Sequence, residues 1–139
     1  MNEASKAMLT EKWNSRPEGM RYARASESDL LGFEAKHGQI PPDFRWFLSA
    51  CGGGVVGTEW VDGIVQLNDT HEKYKLELGP SGWHNREVFI IGWDGAGNPF
   101  GIHTASGGVF VEDHNFGGIH ELSPSFEVFL NQGLLGRAL

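Results

Sequence analysis

The chain has 139 residues, a net charge of −7 and one cysteine; that length suits one domain with its own core, read as residues 1–139, and a lone cysteine excludes an internal disulfide. No stretch approaches the roughly 18–20 apolar residues of a spanning helix, and the polar start Met1-Asn-Glu-Ala-Ser-Lys6 lacks the apolar run of a signal peptide, so a cytoplasmic protein is expected. Residues 1–24 hold five basic and three acidic groups, leaving six basic against fifteen acidic, or −9, in residues 25–139; such an acidic body repels phosphate backbones and suits a basic protein partner, not nucleic acid.

Met8, Leu9 and Trp13 line one side of a short helical pattern, but Asn14-Ser-Arg-Pro17 breaks it and the flanks are polar, so residues 1–24 read as a polar N-terminal arm. Ser26-Glu-Ser-Asp29 then gives an N-cap with an acid at the third helical position, and Leu30, Leu31, Phe33 and Ala35 lead to a stop at Gly38. A second helix is written between prolines and glycines. Pro41 and Pro42 fit its start, where an N–H would have no intrahelical partner, and Asp43 sits at the positive dipole end. Phe44, Phe47, Leu48 and Cys51 form one apolar face, and Gly52-Gly-Gly54 can supply left-handed residues at its end. Ile40 is placed to pack across the joint of this helical corner.

Glu59-Trp-Val61 and Gly63-Ile-Val-Gln-Leu67 are both strand-like, and Asp62-Gly63 between them predicts a hairpin. Asn68-Asp-Thr70 can cap a third helix through Leu78, stopped by Gly79-Pro80, although the alternation of Tyr74, Leu76 and Leu78 also permits a strand. Glu87–Gly92, Pro99–His103 and Gly108–His114 form an antiparallel meander, with Asp94-Gly-Ala-Gly97 as a turn and Phe116–Leu122 as an edge strand. Ser123-Pro124 opens a final helix with Phe126, Phe129, Leu130 and Leu134 on its apolar side. Helices flanking a contiguous antiparallel sheet make an α+β fold: a twisted antiparallel sheet with N-terminal helices and a C-terminal helix packed against it.

The reactive side chains point away from catalysis. Cys51 lies on the apolar face at a helix C-terminus, where dipole and burial both disfavour a thiolate. The six histidines include no i, i+4 pair, and His103, His114 and His120 are read as ordinary surface or edge residues, so no metal and no cofactor is expected. Asp94-Gly-Ala-Gly-Asn98 starts like a calcium loop, but Ala96, Pro99 and Ala105 occupy the positions that need a ligand, the glycine and the closing glutamate. Gly52–Gly54 follow a helix rather than open one, unlike a phosphate loop, and no Gly-x-Ser-x-Gly elbow occurs. Glu112 and Asp113, adjacent on a strand, point to opposite faces and would not act as a carboxylate pair unless a bulge intervenes. Trp46, Trp60, Trp83 and Trp93 remain; exposed tryptophans anchor interfaces.

The order of these motifs resembles the SUKH superfamily, the Smi/Knr-like proteins. It is carried by Ile40-Pro-Pro-Asp-Phe-Arg-Trp-Phe-Leu-Ser-Ala-Cys-Gly-Gly53, by Phe89-Ile-Ile-Gly-Trp-Asp-Gly-Ala-Gly-Asn98, by Gly108–His114 and by Ser123–Leu130, and spans residues 26 to 135. Cys51, Asn98 and His103 depart from the family pattern, which more often has Asn, Asp and an acidic residue there. The resemblance implies the SUKH fold and a non-enzymatic role: bacterial members look mostly like immunity proteins that neutralise a cognate polymorphic toxin, while fungal relatives regulate cell-wall synthesis. The expected function is therefore a bacterial toxin-immunity protein, acting as a monomer or weak homodimer without membrane or nucleic-acid partner. The alternative is a regulatory interaction module, related to the cell wall or envelope, whose partner is not toxic. The residues expected to meet the partner are the acids near turns, Glu59, Asp62, Asp94, Glu112 and Asp113, with Trp60 and Trp93.

Overall fold

The computed structural model describes residues 1–77, 87–113 and 115–136. Its first helix, α1 (Glu3–Asn14), overturns the expectation of a polar arm. Asn2 caps it by accepting the Ser5 N–H at 2.8 Å, and Leu9 and Trp13, four residues apart, are buried in the core. The Trp13 indole meets Phe47 edge-on at 5.1 Å and donates to the Cys51 carbonyl at 2.9 Å. Just beyond the helix, the Arg16 guanidinium donates to the carbonyls of Val55 and Gly133. The polar flanks are thus the solvent side of a helix whose partner surface comes from elsewhere in the chain. Trp13→Phe keeps most of the packing but orphans the buried Cys51 carbonyl. A loss of about 1–2 kcal/mol in urea denaturation is expected, and an unchanged midpoint would show that this bond contributes nothing.

The helical corner forms as its signals require. In α2 (Glu27–His37) Ser26 and Asp29 make a reciprocal capping box, and Gly38 ends the helix at φ 101°. In α3 (Pro42–Ala50) Pro42 opens the first turn, while Phe44, Phe47 and Leu48 are buried. Ile40 is buried between the two helices, its N–H bonded to Glu34 Oε2, and Arg45 reaches back to Glu34 at 3.1 Å and Glu27 at 2.8 Å.

Strands β1 (Gly54–Val56), β2 (Glu59–Val61), β3 (Val88–Trp93), β4 (Pro99–His103), β5 (Val109–Glu112) and β6 (Ile119–Ser123) form one antiparallel sheet in chain order. The fold is α+β as expected, and the core lies between this sheet and the helices, α5 (Phe126–Leu135) included. The first hairpin differs from the sequence reading. Its turn is at Gly57-Thr58, and Gly63–Leu67 does not return as a strand but leads into α4 (Ile64–Glu77). Ile64, Leu67, Thr70 and Tyr74 are buried at helical spacing while Val65 is exposed, so a 3.6-residue period wins over the apparent run of strand formers. Leu78 and the Gly79-Pro80 stop lie outside the described residues. A second correction concerns α5, whose cap is Ser125, accepting from the Val128 N–H, rather than Ser123. Ser123 ends β6 and donates to Gln132 Oε1 instead.

Candidate functional site

A meander puts alternate turns at the same end of its sheet. Here the β1–β2 and β3–β4 turns, at residues 57–58 and 94–98, and the connection from β5 to β6 therefore share one end. Register then determines the neighbours. Val61 pairs with Gly92, so Trp60 comes beside Trp93; Trp93 pairs with Pro99, Phe100 with Val111, and Glu112 with Ile119. Six of the seven residues expected to meet a partner, Glu59, Trp60, Trp93, Asp94, Glu112 and Asp113, thus belong to this end.

Their side chains do different things there. Trp60 is 44% exposed and leans on Tyr22 with ring centroids 5.4 Å apart. Asp94 shapes its turn, Oδ1 accepting the N–H groups of Ala96 at 2.9 Å and Asn98 at 2.8 Å. Asp113 does the same for Asn115 and Phe116. Both carboxylates fold a turn and present charge at its surface, the ordinary chemistry of an Asx turn. Glu112 sits partly buried beside Phe110 and Ile119.

Asp62 is the exception. It is 8% exposed, on the β2–α4 connection, and so not part of the surface. Its Oδ2 accepts from the Thr70 hydroxyl, and Thr70 Oγ1 in turn accepts from the Trp93 indole at 2.9 Å. Burial pushes the Asp62 carboxyl up to about 7; the Thr70 bond works against that rise, and the nearby charge of Asp69 adds to it. Trp93 is consequently held from below by Thr70, while Lys73 Nζ lies 4.5 Å from its ring centroid. Trp83, also singled out from the sequence, lies outside the described residues, and Trp46 packs partly buried against the core.

Sequence reasoning missed the apolar members of this region. Phe116 is 93% exposed at the β5–β6 turn, with Ile119 and Leu122 at 51% and 43% along β6. It also passed over a plain compositional signal: residues 87–136 contain Glu87, Asp94, Glu112, Asp113, Glu121 and Glu127 and no lysine or arginine. The segment from β3 to α5 therefore carries negative charge, in β5, β6, α5 and the flanking turns, with no lysine or arginine of its own.

Several groups with catalytic or ligand-binding potential have partners within the chain. The Cys51 thiol is buried beneath Trp13 and α3 and pushed up to about 12 by that burial, despite the charge of Arg24. Among the described residues no three of His, Cys, Asp or Glu converge as metal ligands. A groove of about 550 Å³ at the other end of the sheet is lined by Ile40, Pro41, Ile102, Thr104 and Phe126. Three of its polar groups have partners on the chain itself: Ser125 caps α5, Asp43 pairs with the Met1 ammonium at 3.4 Å, and His103 Nδ1 accepts from the Ser106 N–H. Among the described residues no helix is long and apolar enough to cross a membrane.

The model of the SMI1 / KNR4 family (SUKH-1) matches residues 24–132. None of the curated proteins matches the chain.

Proposed function

The chain belongs to the SMI1 / KNR4 family (SUKH-1), and from that premise we propose that it is a non-enzymatic immunity protein of the bacterial cytoplasm, which binds and neutralises a cognate protein toxin through the acidic hairpin end of its sheet. The observation that carries this reading is the 50-residue stretch 87–136, acidic throughout its charged positions, folded so that Asp94, Glu112 and Asp113 share one end with Glu59 and the exposed Trp60. A toxin acting on nucleic acid needs a positive site, and a complementary negative surface speeds its capture and can cover it. The tryptophan supplies the desolvated anchor that charge alone lacks.

The test is co-expression with the C-terminal domain encoded by the neighbouring reading frame. Rescue of growth and a stable complex are expected. Binding of that domain without any toxicity of its own would instead make this a regulatory interaction module, and neither binding nor rescue with it or with a panel of basic toxin domains would sink the immunity reading. Within a complex, Glu59→Lys combined with Glu121→Lys should slow association by about tenfold or more at low salt, with the gap closing as salt is added. Stopped-flow association rates check this, and equal rates for the variant and the parent would move the interface to another face.

A further inference from the structure

An open meander has two edge strands, and this molecule treats its two edges differently. The β1 edge is closed. Arg21 bridges to Gly54, the Tyr22 N–H donates to the Gly53 carbonyl at 2.9 Å, and Arg16 takes the Val55 carbonyl. At the other edge, Ile119, His120, Glu121 and Leu122 of β6 are all exposed. Of the usual protections of a free edge that strand has one charge, Glu121, and a bulge at its far end, where the register shifts between Val109 and Phe110; it has no lysine and no proline within it. Phe116, Ile119 and Leu122 add exposed apolar surface to it.

We propose that β6 is a docking edge for an extended, cationic segment of a partner protein, which adds to the sheet as a further antiparallel or parallel strand. Backbone groups along β6 supply the hydrogen bonds, Ile119 and Phe116 the apolar contacts, and the exposed Glu121 the charge selection. Charge decides the class of occupant. With no lysine or arginine anywhere in residues 87–136, a basic strand gains attraction along the edge. A second copy brings the same acidic strand with no lysine or arginine to answer Glu121, and two-fold pairing centred on that residue sets two carboxylates opposite each other, which is destabilising. The proposal rests on the reading of this face as an acidic protein-binding surface and specifies how a partner engages it.

The experiment needs no toxin. The full chain is titrated with a capped peptide of alternating valine and lysine, with a twin in which proline replaces valine, and with a twin in which glutamate replaces lysine; amide exchange is followed at residues 119–122. The valine–lysine peptide should bind and protect β6 amides, the proline twin should bind about tenfold more weakly or worse, and the glutamate twin should not bind. Ile119→Lys, at an exposed position and with its thermal transition checked against the parent, should weaken the valine–lysine peptide by about tenfold. Equal binding of the valine and proline peptides, protection away from β6, no binding at all, or self-association abolished by Ile119→Lys would each overturn the proposal. A chain that rescues cells from a toxin yet ignores the peptide loses strand addition alone, and one that takes the peptide yet rescues nothing loses the immunity reading alone.

Discussion

Alanine at Gly53 is expected to destabilise the protein by roughly 3 kcal/mol or more, whereas alanine at Gly136 should cost about 1 kcal/mol. Both glycines have positive φ, 100° at Gly53 and 67° at Gly136, so both substitutions introduce backbone strain. Only one meets an obstacle. A Cβ on Gly53 would lie 2.7 Å from the Asp62 carbonyl oxygen and 2.7 Å from the Gly63 nitrogen, both backbone atoms, while nothing lies within 4 Å of a Cβ on Gly136. Gly52 and Gly54 are equally hemmed in, against the backbone of Tyr22, Ala23 and Met20. The three glycines thus do more than end α3. They let the segment before α2, the start of β1 and the β2–α4 connection cross at backbone distance, with the Tyr22 N–H bonded to the Gly53 carbonyl. Denaturant unfolding of the two variants measures the contrast; a Gly53 variant as mild as the Gly136 variant would reduce the glycine triplet to a simple helix end.

The second large effect is a pH dependence centred on Asp62. Its carboxyl is raised from an ordinary 3.8 to about 7, chiefly by burial. The sign follows from linkage. Between those two values the folded state holds a proton that the unfolded chain has released, so stability falls as pH rises. The stabilisation is complete below about pH 4, is lost progressively up to about pH 7 and changes little above it, for a total of roughly 2–4 kcal/mol. Asp62→Asn retains an oxygen for the Thr70 hydroxyl and cannot ionise, so it removes this dependence. Its stability relative to the parent should therefore rise by roughly 2–4 kcal/mol between pH 4 and pH 8. Urea titrations of both proteins across that range provide the check, and a constant difference would mean that Asp62 ionises in the folded protein as readily as in the unfolded chain. Since Thr70 links Asp62 to the Trp93 indole, the same titration is expected to move Trp93 fluorescence before global unfolding.

Much of the fold was legible because its signals are local. The Ser26–Asp29 capping box, the proline start of α3 and the three- and four-residue spacing of Phe44, Phe47 and Leu48 act over one or two helical turns, and each element forms where those signals lie. Strands β3 to β6 were readable from apolar runs cut by glycine and aspartate turns. The same turns made part of the candidate surface readable, since aspartate folds a turn with one oxygen and leaves its charge at the surface, as at Asp94 and Asp113.

The failures mark where local information ends. Leu9 and Trp13 announce a helical face but not what covers it, and their cover is Phe47, the Cys51 carbonyl and α5, far away in sequence. Gly63–Leu67 carries strand-forming residues that helix packing overrides, because burying Ile64, Leu67, Thr70 and Tyr74 together outweighs β propensity. Misplacing that turn also put Asp62 on the surface.

By itself, then, the amino-acid order determined the helical corner, the run of antiparallel strands, the excess of negative charge after residue 86 and the family that these features signal. Tertiary structure alone decided which acids face solvent and which one is buried, that three separate turns share one end of the sheet, and that β1 is covered while, among the described residues, β6 is exposed along its length. The reason is physical: caps, turns and periodicity are settled by neighbours a few residues apart, whereas burial, pKa and edge protection depend on groups that only chain closure brings together.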